Sequence, residues 1–429
     1  MSPCTGRKDK SMSITSLMLG WEFPPLISGG LGTACHGLTK AMSRRGMRVT
    51  FVLPRHKPMH FAEMGDDVGV ASVKGMRNVR VRPVESSLRA YGRFGPKPIH
   101  PVSAAIEAEL SDEPAGGPTP YGPSLEQEVF RYAQRVMRIA ERERFDVIHA
   151  HDWMTFPAGI AVAACSRKPL IVQVHSTEFD RTGEHVNQFV YDIERQGMHA
   201  ATRVITVSNY TRNIVITRYA VPPEKVEVVY NGVDPSAWSR TTPRPPWPAS
   251  GDRNVLFVGR ITMQKGPEYF LYAAKKVLEK LPNVRFIMAG DGDRLHGIIE
   301  LAAWLGIGHR VRFTRFLPSQ EVQRAYRMAD LYVMPSVSEP FGIAPLEALL
   351  NDVPILISKQ SGLAETFRHA LKVDFWDTLE MANKIVAVLR HKVLAQSLLA
   401  NGQAEARRFR WEDSAAKVND IYQRVLNVA

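Results

Sequence analysis

Residues 331–350 read Leu331-Tyr332-Val333-Met334-Pro335-Ser336-Val337-Ser338-Glu339-Pro340-Phe341-Gly342-Ile343-Ala344-Pro345-Leu346-Glu347-Ala348-Leu349-Leu350. An apolar run of strand length, Leu331 to Met334, ends in a polar loop. A helical pattern follows, with Ile343, Leu346 and Leu350 on one face and Pro345 tolerable in the first turn. Strand, tight loop and helix make half of a parallel α/β unit, and ligands of such sheets sit outside the carboxyl ends of the strands. The unpaired amides at the helix start suit an anion, phosphate above all. Glu339 in the loop and Glu347 in the helix set two carboxylates beside that anion site. Carboxylates do not bind phosphate; they serve better as acceptors for the hydroxyls of a sugar or a ribose. The plainer alternative is a surface helix carrying two solvated acids.

The motif S-x-x-E-P-F-G-x-x-x-x-E-A, from Ser336 to Ala348, resembles the signature of retaining glycosyltransferases of the GT-B fold, above all glycosyltransferase family 4 and the related glycogen and starch synthases. That resemblance implies two Rossmann-like, doubly wound α/β domains facing each other across a cleft. It assigns Glu339 to the transferred sugar and Glu347 to the ribose, with Phe341, Gly342 and Ile343 at the helix start beside the nucleotide.

The rest of the chain is consistent with such a size and class. Its 429 residues, 45% hydrophobic and 23% charged, are too many for one core and fit two domains. Three widely spaced cysteines, Cys4, Cys35 and Cys165, form no metal-ligand pattern and no disulfide framework, so a cytoplasmic, reducing home is expected. No stretch approaches a membrane span, and residues 1–12 read as a loose tail. The net charge of +12 admits attraction for a nucleotide sugar, association with an anionic membrane surface, or a merely solvated basic face. The basic residues are scattered, without the aromatic-laced stripe of a nucleic-acid binder, and no nucleic-acid partner is expected.

The first element, Ile14 to Leu19, reads as a buried strand running into Gly20-Trp21-Glu22-Phe23-Pro24-Pro25 and then Ser28-Gly29-Gly30-Leu31-Gly32-Thr33. Glycines between a strand and a helix let backbone amides approach a phosphate. The dinucleotide fingerprint is not met, because Cys35 stands at its third glycine position. The turn is similar to the diphosphate loop of family 4, which places Gly29 and Gly30 at the donor. Bacterial glycogen synthases carry a lysine two residues before the paired glycines; here that residue is Ile27, which favours family 4 over a glycogen synthase proper.

Residues 54 to about 124, rich in Pro and Gly, are expected to form hairpins and loops, either choosing the acceptor or merely packing. An amphipathic helix over about 125–143 leads to Val147-Ile148-His149-Ala150-His151-Asp152-Trp153. A lone histidine is more often a core residue than a catalyst. The string nonetheless looks like the H-x-H-D-W of the family, in which His151 lies against the donor sugar and Asp152 orients it. A neutral imidazole can donate to one hydroxyl and accept from another. His175, after the strand Leu170 to Val174, resembles a cleft histidine of related enzymes. Ser208 or Asn209 reads first as a helix cap. Tyr230-Asn231-Gly232-Val233-Asp234 is similar to the turn that ends the first domain, with Asn231 facing the cleft.

Domain boundaries follow: an acceptor domain over 13–237, a Pro-rich linker over 238–253, a nucleotide-sugar domain over 254–410, and a last helix over 411–429 that crosses back onto the first domain. The second domain opens with a strand and Gly259-Arg260-Ile261-Thr262-Met263-Gln264-Lys265-Gly266. This resembles the family's diphosphate clamp, with Arg260 as a planar fork and Lys265 as a point charge stabilising the leaving group. Loop 358–365 is placed near the phosphates. No acidic cluster of metal-binding spacing appears, so neither metal nor other cofactor is expected. The implied activity is transfer of a hexose, glucose by preference, from UDP- or ADP-glucose to an acceptor hydroxyl, forming an α-glycosidic bond. The rivals are a glycogen synthase proper, a sugar-nucleotide epimerase and a non-catalytic sugar-nucleotide sensor.

Overall fold

A computed structural model describes residues 14–23, 29–55, 71–72, 76, 78–85, 125–234 and 252–428. The expected tail, most of the 54–124 insertion, Pro24, Pro25, Ile27 and Ser28, and the linker residues 235–251 lie outside the described residues.

The first half is built on a sheet ordered β3-β4-β2-β1-β5-β6-β7-β8. Its strands are Thr15–Leu19 (β1), Arg48–Arg55 (β2), Ala71–Ser72 (β3), Val79–Glu85 (β4), Val147–His151 (β5), Leu170–Val174 (β6), Arg203–Thr206 (β7) and Val226–Val228 (β8). All pairings are parallel except that of β3 with β4. Strands β5 and β6 are buried residue for residue, which is why VIHAH and LIVQV do not alternate: helices cover both faces. On one face pack Leu125–Ala140, Phe156–Ser166 and Gln188–Ala200; on the other pack Gly30–Arg44 and Trp411–Val428.

The run Val79 to Val84 keeps the expected antiparallel pairing on one side, with β3, and departs from a simple hairpin on the other, where it is a parallel strand beside β2 in the main sheet. It alternates because Val79 and Val81 face the core while Arg80 faces solvent and Arg82 pairs with Glu143. That pattern suits a strand near a sheet edge as well as it suits a hairpin.

The second sheet, β11-β10-β9-β12-β13-β14, is parallel throughout: Arg253–Val258 (β9), Val284–Ala289 (β10), Val311–Arg315 (β11), Leu331–Met334 (β12), Ile355–Ser358 (β13) and Leu371–Val373 (β14). Helices Pro267–Lys280, Leu295–Trp304 and Thr378–Arg390 cover one face, and Ser319–Met328, Ile343–Leu350 and Lys392–Ala406 the other. The chain is therefore two doubly wound α/β halves, as the sequence reading expects.

Both sheets change direction once. In the first, the chain builds outward from β1 through β2 and β4, then returns to the far side of β1 with β5. In the second, β9 to β11 run one way and β12 to β14 the other. A crevice opens at each such switch point, between the loops after β1 and β5 and between the loops after β9 and β12.

The last helix ties the halves together. Phe409 accepts a hydrogen bond from the Val233 amide (2.9 Å), and Trp411 then lies on Gly37 of the first helix. A Cβ at Gly37 would overlap the indole, so only glycine allows this approach. Ala415, Val418, Ile421, Tyr422 and Val425 complete the core of the first half, and the Tyr422 hydroxyl meets His149 Nδ1 at 2.7 Å.

Candidate active site

The loops at the second switch point are stitched to each other by backbone. Val337 N donates to Gln264 O (2.9 Å), and Gly266, at φ +62°, begins the helix Pro267–Lys280 so close to Pro335 O that a Cβ would overlap it. This register brings together two residues 74 apart in sequence: Lys265 Nζ lies 2.5 Å from Glu339 Oε2, with Ser336 Oγ donating to the same oxygen at 3.3 Å. Glu339 is 9% exposed. The expected diphosphate cation and the expected sugar acid are thus one ion pair. Arg260, on the same loop as Lys265, is half-buried.

Helix Ile343–Leu350 begins beside this pair. Its cap is Gly342 at φ +105°, which offers no side chain, and no side chain caps the first turn. Pro345 has no N–H, so the amides of Ile343 and Ala344 are the donors of the first turn. One turn on, the half-buried Glu347 accepts a hydrogen bond from the Tyr326 hydroxyl (3.2 Å). Burial raises its carboxyl to about 7, against the opposing pull of that hydrogen bond. Phe341 is different. Its ring is 2% exposed and packs with Tyr230 and Phe409 at 6.1 and 5.7 Å, so its side chain belongs to the core and only its backbone borders the loop.

The first half contributes histidines. His151 ends β5 with no exposed surface, stacked on His149 at 4.4 Å, and its Nδ1 lies 3.0 Å from His175 Nε2. Its Nε2 is buried with no hydrogen-bond partner among the described residues. Burial drives His151 well below the usual histidine range, helped by the neighbouring imidazoles, and takes His175 down to about 3; both rings are neutral at pH 7. Asp152 accepts from the His175 amide at 2.7 Å and so holds the loop after β6 rather than either ring; burial lifts its carboxyl to about 7. Gly29 is the extended cap of helix Gly30–Arg44, and Glu22 accepts from the Gly32 amide at 3.1 Å, so the glycine turn already has one carboxylate on it. Asn231 is 6% exposed in the turn that packs on the crossing at 409–411.

Contacts across the halves were not legible in the sequence. Ser338 Oγ donates to Asp180 Oδ1 (2.5 Å) and meets the Tyr210 hydroxyl (2.9 Å); Ser208 Oγ donates to Pro340 O (2.5 Å). Ser208 is also the cap of helix Asn209–Tyr219. Glu365 accepts from the amides of Asn209 and Tyr210 (2.8 and 2.9 Å) and from the Tyr230 hydroxyl (2.8 Å). Loop 358–365 therefore bridges to the first half, through Glu365 at the start of that helix. Asp180 accepts in turn from the amide and hydroxyl of Thr177 (2.7 and 2.8 Å), and the next residue, Arg181, pairs with Glu178 (3.0 Å) and with Glu194. Serines, an aspartate and a glutamate in these places carry no motif; their pairing depends on how the halves meet.

Chemically, the second switch point offers cations and helix amides for a phosphate, and an acid on either side for hydroxyls. The first offers neutral imidazoles.

Comparison with known proteins gives the following. Residues 100–237 match the family described as Glycosyltransferase Family 4, and residues 240–404 match Glycosyl transferases group 1. An uncharacterized glycosyltransferase of Methanocaldococcus jannaschii is 27% identical over 95% of this chain and 97% of its own. A glycogen synthase of Mycobacterium tuberculosis is 24% identical over 95% and 94%. A D-inositol 3-phosphate glycosyltransferase of Thermobispora bispora is 30% identical over 68% and 73%. Among solved structures, sucrose-phosphate synthase from Thermosynechococcus elongatus superposes with a TM-score of 0.74 at 19% identity, covering 97% of this chain and 100% of its own. The Anabaena protein HepE in complex with UDP-glucose gives 0.68 at 18% identity, covering 96% and 100%.

Proposed function

The chain belongs to glycosyltransferase family 4, and from that premise we propose that it moves a hexose, glucose by preference, from a nucleotide diphosphate sugar to an acceptor hydroxyl with retention of the α configuration. The observation that carries this reading is the meeting of Lys265, Glu339 and the uncapped amides of Ile343 and Ala344 at one switch point, with Glu347 further along the same helix. A UDP- or ADP-glucose fits that set, and UDP-glucose is the ligand named for HepE.

In this mechanism the diphosphate enters between Arg260, Lys265 and the amides at Gly29–Gly30 and Ile343–Ala344. Lys265 exchanges its bond with Glu339 for one with a phosphate oxygen, and Glu339 is released to the hydroxyls of the hexose. Glu347 accepts from the ribose. The unpartnered Nε2 of His151 gains a sugar hydroxyl, and His175 holds that ring. As the bond from the anomeric carbon to the diphosphate breaks, the negative charge passes to a group already surrounded by cations and amides, where such charge is stabilised most. The acceptor attacks from the face that the diphosphate leaves, and a diphosphate oxygen takes its proton. Neither a general base on the opposite face nor a carboxylate nucleophile is needed. No metal takes part; Arg260, Lys265 and the amides fill that place. We place the reaction in the cytoplasm; no helix among the described residues is long and apolar enough to cross a membrane.

The test is product analysis with a panel of nucleotide sugars, with and without a glucan acceptor. A new glycoside from UDP- or ADP-glucose supports the reading. Hexose transfer from neither, under conditions where the protein is folded, overturns it. Elongation of the glucan as the preferred reaction would assign the glycogen synthase alternative.

A further inference from the structure

Three side chains in the first half sit closer together than their places in sequence suggest. Cys35 lies on helix Gly30–Arg44, His151 ends β5 and His175 follows β6, yet the thiol sulfur and one ring nitrogen of each histidine lie within 4.8 Å of one another. Cys35 and His151 have no exposed surface, and His175 forms the more open side.

The facing nitrogens of the two rings are Nδ1 of His151 and Nε2 of His175, 3.0 Å apart. A neutral imidazole has a lone pair to give.

We propose that Cys35, His151 and His175 form a binding site for a thiophilic divalent cation, zinc being the one the donor set fits, and that occupancy of this site blocks glycosyl transfer. One sulfur and two imidazoles are a zinc set with a fourth position left for water. Tetrahedral zinc separates two ligating nitrogens by about 3.3 Å and a nitrogen from a sulfur by about 3.5 Å, given its usual bond lengths. Nδ1 of His151 and Nε2 of His175 are already 3.0 Å apart, and the sulfur, within 4.8 Å of a ring nitrogen of each histidine, has to close by at most about 1.3 Å. On binding, the thiol proton leaves to solvent, the proton between the rings moves to the far nitrogen of the ring that carries it, and the bond between the rings is replaced by two bonds to the ion. The blocking half of the proposal rests on the reading that His151 lies against the donor sugar. The binding half does not.

The experiment is titration of the intact protein with cobalt(II), in a Cys4→Ser/Cys165→Ser background that leaves Cys35 as the remaining thiol. The expected result is a thiolate-to-cobalt charge-transfer band in the near ultraviolet, displaced by zinc and lost in Cys35→Ser. His175→Gln should weaken binding by about tenfold or more, since even outer partners of metal ligands are worth that much. Absence of the band, or its survival in Cys35→Ser, overturns the site. Thermal unfolding checks each variant, and Cys35→Ala replaces the serine if the core rejects a hydroxyl. In the activity arm, zinc should inhibit the parent, whereas Cys35→Ser should keep the basal rate and lose the sensitivity. Cobalt bound through Cys35 with no inhibition by zinc overturns the blocking half. Cobalt bound through Cys35 in a protein that transfers no sugar from any donor leaves the metal site standing and removes the functional reading instead.

Discussion

Lys265 and Glu339 offer the sharpest perturbation, because one short bond joins the residue meant for the diphosphate to the residue meant for the sugar. Their side chains are 20% and 11% exposed, so the pair is only partly screened. At 2.5 Å and an effective dielectric constant of about 20, the bare attraction is about 332/(20 × 2.5), roughly 7 kcal/mol. Lost hydration and ordering offset most of it, and a charge-assisted hydrogen bond nets about 1.5–3 kcal/mol. A diphosphate has to compete with Glu339 for this lysine. Lys265→Ala should therefore weaken nucleoside diphosphate binding by about 1.5–3 kcal/mol, about 10–150-fold in Kd. Glu339→Gln removes the competitor and should leave that affinity unchanged or up to about 1 kcal/mol better, while kcat falls because the sugar has lost its acid. In the double variant the gain from Glu339→Gln should vanish, since it acts only through the lysine. Calorimetric titration of UDP and ADP into all four proteins measures this. Unchanged affinity in Lys265→Ala would remove the clamp. A Glu339→Gln protein that binds diphosphate as poorly as Lys265→Ala would show that the acid positions the lysine rather than competing for its charge.

Other outcomes follow from the same geometry. Burial pushes the Glu347 carboxyl up to about 7, so it is mainly carboxylate above that pH and mainly acid below it. As the carboxylate is the ribose acceptor, donor KM should rise as pH falls through 7, and Glu347→Gln should raise KM and flatten that profile. Because its folded pKa lies above the unfolded value, ionised Glu347 costs stability that is lost progressively as pH rises from about 4.5 to 7; Glu347→Gln should raise Tm at pH 8 more than at pH 5, and the opposite order would contradict the burial argument. Activity should survive EDTA, and turnover lost to the chelator and restored by magnesium or manganese would refute metal independence. Trp411→Ala should destabilise the protein by about 3–5 kcal/mol, the usual cost of removing a buried aromatic, read as a fall in the midpoint of denaturant unfolding; an unchanged midpoint would mean the last helix contributes little to the first half's core.

The sequence announced those parts of the site that depend on one strand end and the turn after it. Leu331–Met334 and Leu170–Val174 are legible because a buried parallel strand is an unbroken apolar run, and Gly342 and Gly266 mark turns that need positive φ. What stayed hidden depends on two loops meeting. The bond from Lys265 to Glu339 follows from the parallel register of β9 beside β12, and the approach of Cys35 to His151 follows from the seat of the first helix over β5. Neither register nor seat can be read from spacing. Phe341 shows the converse. It stands inside the strongest motif of the chain, yet its ring fills an aromatic cluster, because a loop that presents backbone to a ligand has to anchor its side chains in the core. Glu365 was legible as part of loop 358–365 but not as the cap of helix Asn209–Tyr219, since an acid in a loop carries no sign of the helix end it will meet on the other half.

Proton NMR of the first product formed from an α-linked nucleotide hexose tests the central claim most directly, before mutarotation or further transfer can blur it. Retention by same-face attack, with the leaving diphosphate taking the acceptor's proton between Arg260 and Lys265, predicts the small anomeric coupling of an α-glucoside. The large coupling of a β-glucoside would mean attack from the opposite face and would contradict the mechanism.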